Sequence, residues 1–280
     1  MDKLKELLQN PTKEYRGIPF WAWNDKLDRD MLNWQINEMD KAGLGGHIMH
    51  ARAGLKTEYL SEEWMDCIST CVEESKKLGL NAWCYDENGW PSGFAGGIVN
   101  AMGDKFHVRW LEIEDIGTES AKLAENLLGV YKLDVSINKH ERILPDNLGR
   151  NENERIHIIK HKSNPYYIDI LNPEVVRAFI EVTHEKYYEL FKEDFGKGIQ
   201  GFFTDEPQFA RKRIPWSYIL PEEFQKRHGY AIIDNLPALF IECDGCEKIR
   251  YDFWETVSYL FVSSFGKQIY VLQDLLYPFH

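Results

Sequence analysis

A rhythm restricts this chain more than any other feature: a short apolar run, a stretch with helical spacing, then a short apolar run again. Residues 17–23 read as a first strand. Asp28 can cap the helix that follows, Leu32, Ile36 and Met39 recur at helical spacing, and Gly43 ends it. Residues 46–50 read as a second strand. Ser61 is a good N-cap, and Glu62 and Glu63 sit in the first turn, where the helix dipole favours acids. Trp64, Ile68, Cys71, Val72 and Leu78 then form an apolar face, and Gly79 stops the helix before a third strand over residues 80–85. Short apolar strands separated by whole helices predict parallel strands buried on both faces, as in a barrel or a doubly wound sheet.

The rhythm breaks between residues 104 and 166. The runs 108–113 and 155–159 partly alternate like strands, and 138–153 is polar and loop-like. The stretch reads as a β-rich insertion after strand three. The rhythm resumes at Asn172-Pro173-Glu174, a cap, a proline at the first helical position and an acid in the first turn. Val175, Phe179, Val182, Leu190 and Phe191 give that helix its face, and residues 199–204 are strand four. A short helix from Pro221 to near Gly229 and a longer one over about 248–272 follow. The expected fold is α/β, a TIM (β/α)8-type barrel of which about four β/α units are present. The expected division is 1–103 for three units, 104–166 for the insertion, and 167–280 for the fourth unit with a helical extension. Four units are half of a closed barrel, so a truncated or half-barrel chain is expected, with activity of the chain alone in question.

Composition narrows the partners. The net charge of −12 and the lack of a basic stripe argue against nucleic acid and anionic membranes. No apolar run approaches the roughly 20 residues that span a bilayer. Residues 1–10 are charged and amphipathic, unlike a signal peptide, so a cytoplasmic location is expected. Nine Trp suit sugar binding, although most such rings bury themselves in cores. Of five Cys, Cys67, Cys71 and Cys84 fall on helix and strand faces. Cys243 and Cys246 form a lone C-x-x-C, and zinc takes four ligands, so that motif alone does not imply a metal.

Polar clusters end each proposed strand: Trp21-Ala22-Trp23-Asn24-Asp25, His47-Ile48-Met49-His50-Ala51-Arg52, Tyr85-Asp86-Glu87-Asn88-Gly89-Trp90-Pro91-Ser92-Gly93 and Thr204-Asp205-Glu206-Pro207. A barrel gathers such ends around one mouth. Glycoside hydrolysis needs two carboxyl groups flanking the scissile bond. Glu206 is the leading catalytic acid, with Asp205 beside it and Glu87 as the other candidate. Trp21, Trp23, Asn24, His50, Arg52, Asp86 and Trp90 are the candidate substrate contacts. His47, three residues from His50, faces the other side of its strand and reads as a hydrogen-bonded core residue.

Several stretches resemble glycoside hydrolase family 106, whose named activity is α-L-rhamnosidase. They are Pro19-Phe20-Trp21-Ala22-Trp23-Asn24, the run 53–64, Tyr85-Asp86-Glu87-Asn88-Gly89-Trp90-Pro91-Ser92-Gly93, Asp169-Ile170-Leu171-Asn172-Pro173 and Gly201-Phe202-Phe203-Thr204-Asp205-Glu206-Pro207. The resemblance implies a TIM barrel, inverting hydrolysis of a terminal α-L-rhamnoside, and calcium as a cofactor with no ligands assigned. It implies that Glu206 holds the proton-donor position. Two other readings stand beside it: a non-catalytic carbohydrate-binding protein, and a metal-dependent hydrolase using His50 with Asp205 or Glu206. The exact sugar, the metal ligands and the oligomeric state are not legible.

Overall fold

The computed structural model describes residues 2–117, 124–134, 138–144, 155–209, 211 and 213–276. Its strands are β1 (Phe20–Trp23), β2 (Gly46–Ala51), β3 (Asn81–Asn88), β4 (His107–Gly117), β5 (Leu127–Asp134), β6 (Lys139–Ile143), β7 (Arg155–Ile168), β8 (Ile199–Phe203) and β9 (Ile214–Trp216). Its α-helices are α1 (Asp2–Gln9), α2 (Arg29–Lys41), α3 (Glu62–Leu78), α4 (Pro173–Ile180), α5 (Lys186–Phe191), α6 (Leu220–His228), α7 (Cys246–Phe261) and α8 (Lys267–Leu276). The chain divides into two compact units: one draws on residues 1–99, 177–207 and 269–280, the other on 100–176 and 208–268.

The first unit holds a four-stranded parallel sheet in the order β1-β2-β3-β8. The expected caps form. Asp28 accepts the Met31 N–H at 2.8 Å, and Ser61 accepts the Trp64 N–H at 3.2 Å. Gly79 closes α3 at φ 65°, a left-handed conformation that glycine adopts without strain. Gly46 begins β2 opposite Asn81, and a Cβ there would lie 2.0 Å from the Asn81 carbonyl oxygen, so only glycine lets these strands meet. Every residue of β2 is buried, as expected of a strand with both faces covered.

The sheet curves strongly. β1 and β8 are its two outer strands, three strand spacings apart, or about 14 Å along a flat sheet. Yet the rings of Phe20 on β1 and Phe203 on β8 meet with centroids 4.8 Å apart. Rings standing up from a flat sheet could not reach each other, so this face is concave. The sheet is an open arc with β1 and β8 as edges, where the sequence predicted part of a barrel; closure is not seen among the described residues.

The second unit is built on a five-stranded antiparallel sheet, β6-β5-β7-β4-β9. β7 pairs with β4 along its whole length, from Gly117↔Arg155 to His107↔Ile168. Trp216, Phe224, Ile159, Leu236 and Phe253 form its core. This antiparallel sheet covers most of the stretch that the sequence set apart as β-rich, with two differences. The short strand β9 comes from beyond residue 166, and residues 208–268 group with this sheet instead of extending the fourth β/α unit. Its three residues carry too little alternation to be read as a strand. The polar run 138–153 contains β6, and most of the remainder lies outside the described residues.

Candidate functional site

Alternation along the strands decides which tip residues can meet a ligand. On the concave face, register pairs Ala22 with His50, Ile48 with Trp83, and Tyr85 with Phe203. The His50 ring lies 3.8 Å from that of Tyr85 and 5.3 Å from that of Phe20. Phe20 is 50% exposed, so this aromatic floor is partly open. His50 is buried, and desolvation, helped by Arg52 and opposed by Asp205, pushes its pKa down to about 4. It is a neutral imidazole at pH 7.

The alternate residues point the other way. Trp21 donates its indole N–H to Gln35 of α2 at 2.9 Å, and Trp23 is 2% exposed, its ring 5.0 Å from that of Trp64 on α3. Both belong to the layer between sheet and helices, so their geometry does not match the sugar-lining place that the sequence suggested. His47 packs there too, with Nε2 2.9 Å from Ser75 Oγ, and burial lowers its pKa to about 4.

The acids at the β3 tip are buried. Asp86 accepts from Ser92 Oγ at 2.5 Å and from Thr204 Oγ1 at 2.6 Å, and its Oδ2 lies 3.4 Å from His184 Nε2. Glu87 is clasped by five backbone N–H groups: Asn88 at 2.8 Å, Gly93 at 3.0 Å, Phe94 and Ala95 at 2.8 Å, and Gly96. Burial pushes the Glu87 carboxyl up to about 7, against the pull of these donors. Neither side chain has exposed surface, so neither reaches open solvent as a substrate contact or catalytic acid would. Their geometry suits a different task, the folding of the 88–96 loop.

That loop carries Ser92 to the β8 tip. The Asp205 N–H donates to Ser92 Oγ at 2.8 Å, and the Ser92 N–H donates to the Asp205 carbonyl at 2.9 Å. The Tyr85 hydroxyl, rising from the concave floor, donates to Asp205 Oδ2 at 2.9 Å. The acids expected to share a mouth therefore share a hydrogen-bonded network, Asp86–Ser92–Asp205, with Glu87 bracing its loop. Glu206 follows at φ 41°, a left-handed conformation rare outside glycine, and its side chain is exposed. Asn24 and Arg52 are exposed at the β1 and β2 tips, and Trp90 is 38% exposed.

Sequence reasoning missed Phe20, Tyr85, Ser92, Phe203, Thr204 and His184 as parts of this arrangement. Tyr85, Ser92 and Thr204 lie inside the tip motifs, and Phe20 and Phe203 stand one residue before them, where following alternation along each strand could have found the rings. His184 could not be found that way. It sits in a π turn, Glu181–Glu185, between α4 and α5, and the extra residue moves it off the spacing set by Val175, Phe179 and Val182.

Calcium takes six to eight oxygen ligands. The oxygens of Asp86 and Glu87 already accept N–H and O–H donors, so these tip residues do not form a calcium cage. No helix among the described residues is long and apolar enough to cross a membrane. No family model and no curated protein matches the chain. Among solved structures, it is similar to a rhamnosidase from Novosphingobium sp. PP1Y, with 12% identity and a TM-score of 0.61, over 98% of this chain and 46% of that one. The chain thus spans about half the length of that structure, and at this identity the likeness is one of fold alone.

Proposed function

We propose that the concave face and the β8 tip form one side of a glycoside hydrolase site, with Glu206 as the proton donor. One observation carries this reading: an exposed acid beside a second acid, Asp205, that a buried network holds in place above a partly open aromatic floor. Aromatic faces stack on the C–H faces of sugars, and Phe20 is the most accessible ring of the floor. Asp205, fixed by Tyr85 and the Ser92 loop, orients the tip. Asn24, Arg52 and Trp90 are proposed as contacts to sugar hydroxyls or the ring face. Asp86 and Glu87 act as positioning residues. A terminal α-L-rhamnoside is the proposed substrate, supported by the fold likeness to a rhamnosidase. The second carboxyl group that hydrolysis requires is not assigned to this chain.

Hydrolysis of an aryl α-L-rhamnoside tests the reading. Glu206→Gln keeps the shape and removes the acid, so the rate is expected to fall by roughly 10²- to 10⁴-fold. A variant within a few-fold of the parent rejects Glu206 as donor. L-Rhamnose binding that survives in both proteins with no turnover in either favours a carbohydrate-binding role.

A further inference from the structure

We propose that His140 and His157 chelate a tetrahedral divalent cation of the zinc class on the antiparallel sheet, independent of the sugar-site reading. His140 stands on β6 and His157 on β7, with β5 between them. In register, His140 pairs with Leu133 and His157 with Tyr131, two residues apart on β5, so both rings rise from the same face. Two strand spacings separate their backbones by about 9.5 Å, before any offset along the strands. Yet the ring centroids lie 5.6 Å apart, with the planes tilted by 60°. The two imidazoles lean toward each other over β5.

A second observation separates this pair from ordinary packing. Nδ1 and Nε2 of His140 and Nδ1 of His157 are buried and have no hydrogen-bond partner among the described residues. A neutral imidazole has one donor and one acceptor nitrogen, and a buried polar atom left unpaired costs about 1–3 kcal/mol. One ion satisfies an acceptor nitrogen on each ring at once. Both residues keep part of their surface exposed, which gives an ion a way in.

The distance selects the geometry. Zinc–nitrogen bonds are about 2.0–2.1 Å and the ring centre lies about 1.1 Å behind the nitrogen, so each centroid sits about 3.2 Å from the ion. A tetrahedral angle then sets the centroids about 5.2 Å apart, and the right angle of a square-planar or octahedral site about 4.5 Å apart. From 5.6 Å the first needs an approach of about 0.4 Å and the second about 1.1 Å. Burial and the facing His157 push the His140 pKa down, so that ring is neutral at pH 7 and its lone pair can bind an ion. On the same face, Arg142 is paired with Asp234 at 3.0 Å, and Asp115 stands opposite His157 in register, so the surroundings do not repel a cation. The ligand set from the protein is the two imidazoles, with the remaining positions left to water. Bound there, the ion clamps β6, an outer strand of its sheet, to β7.

Zinc chloride alone, titrated into protein carrying ¹⁵N-labelled histidine, tests the site. The expected result is that two of the nine imidazole signals shift together and saturate at one equivalent. Loss of an outer partner of a metal ligand costs 10–100-fold in affinity, so loss of a ligand itself, in His140→Gln or His157→Gln, should cost about a hundredfold or more. In each variant the other ring should lose its response, the mark of a shared ion, while the remaining imidazole signals stay at their parent positions. Ring signals that do not move at stoichiometric zinc overturn the site, and that result needs no variant. So does zinc that moves other rings and leaves these two in place, or a His157 response that survives in His140→Gln.

Discussion

Glu87 of the parallel-sheet unit and Asp169 of the antiparallel-sheet unit are both sunk out of solvent, and burial pushes each carboxyl up to about 7. Their surroundings differ. Glu87 accepts five backbone N–H groups from the loop that follows its strand, so one side chain satisfies donors that no strand or helix pairs. Asp169 accepts one hydroxyl, Ser217 Oγ at 2.6 Å, and the N–H groups of Leu171 at 3.2 Å and of Asn172, with the buried Arg109 guanidinium adding attraction. Equal shifts therefore conceal unequal commitments. Glu87 is the template of a loop, and Asp169 ties the end of β7 to the residue after β9.

The largest expected effect breaks or upholds this contrast. In Glu87→Gln the new amide N–H₂ faces N–H donors, which strands several of them, and urea unfolding should show a loss of about 3 kcal/mol. In Asp169→Asn the Ser217 hydroxyl can rotate to accept, so the loss should be about 1 kcal/mol. Equal losses would mean that the N–H clasp around Glu87 carries no special weight.

The next effect is smaller and concerns pH. An acid whose pKa is higher folded than unfolded holds a proton in the native state that the unfolded chain has released. For Asp169 this window runs from its ordinary 3.8 to about 7. Across it, stability falls as pH rises, and it levels off above about pH 7. Glu87 contributes with the same sign. Urea midpoints between pH 4.5 and 7.5 should therefore decline, and Asp169→Asn should flatten the decline by on the order of 2 kcal/mol over the window. A variant as steep as the parent would show that Asp169 is ionised in the folded protein.

How much of this was legible follows from which interactions are local. The caps at Asp28 and Ser61, the stop at Gly79 and the parallel strands rest on neighbours in sequence, and the sequence displays them. The tips β3 and β8 were legible as acidic clusters, because short runs of acids, Gly and Pro stand out after apolar strands. Their partition between buried and exposed was not. It depends on which face each residue takes, and the register shift between β2 and β3 near the β3 tip alters that face. Asp86 was misplaced for this reason, whereas Trp23 sits in the unbroken register of β1 with β2 and faces the helices by simple alternation. β9 and the π turn holding His184 are settled by contacts distant in sequence, Trp216 pairing with Arg109 and His184 lying against Asp86, which no local spacing reports.

Ser92 connects the two tips, so Ser92→Ala sharpens the comparison inside the first unit. It removes the donor to Asp86 Oδ1 and the acceptor of the Asp205 N–H in one buried position. A loss of about 1.5–2 kcal/mol is expected in urea unfolding, less than for Glu87→Gln, where the new amide N–H₂ also points its donors at the stranded N–H groups. A loss as large as that of Glu87→Gln would place the weight of the loop on Ser92.

Tyr85→Phe carries the smallest effect and separates stability from function. The hydroxyl has one proton and two acceptors in reach, Asp205 Oδ2 at 2.9 Å and the Gly89 carbonyl at 3.2 Å, and burial together with Asp205 pushes its pKa up. Removing it leaves the ring against His50 and Phe203, so the aromatic floor persists. Asp205 is part-exposed and can turn to water, so the expected loss is only about 0.5–1 kcal/mol. If Asp205 must be held to orient the β8 tip, turnover of an aryl rhamnoside should fall by about tenfold while KM changes little, since the floor that binds the sugar is intact. A fall in stability with no change in turnover would confine the Tyr85–Asp205 bond to folding and leave Glu206 without a fixed neighbour.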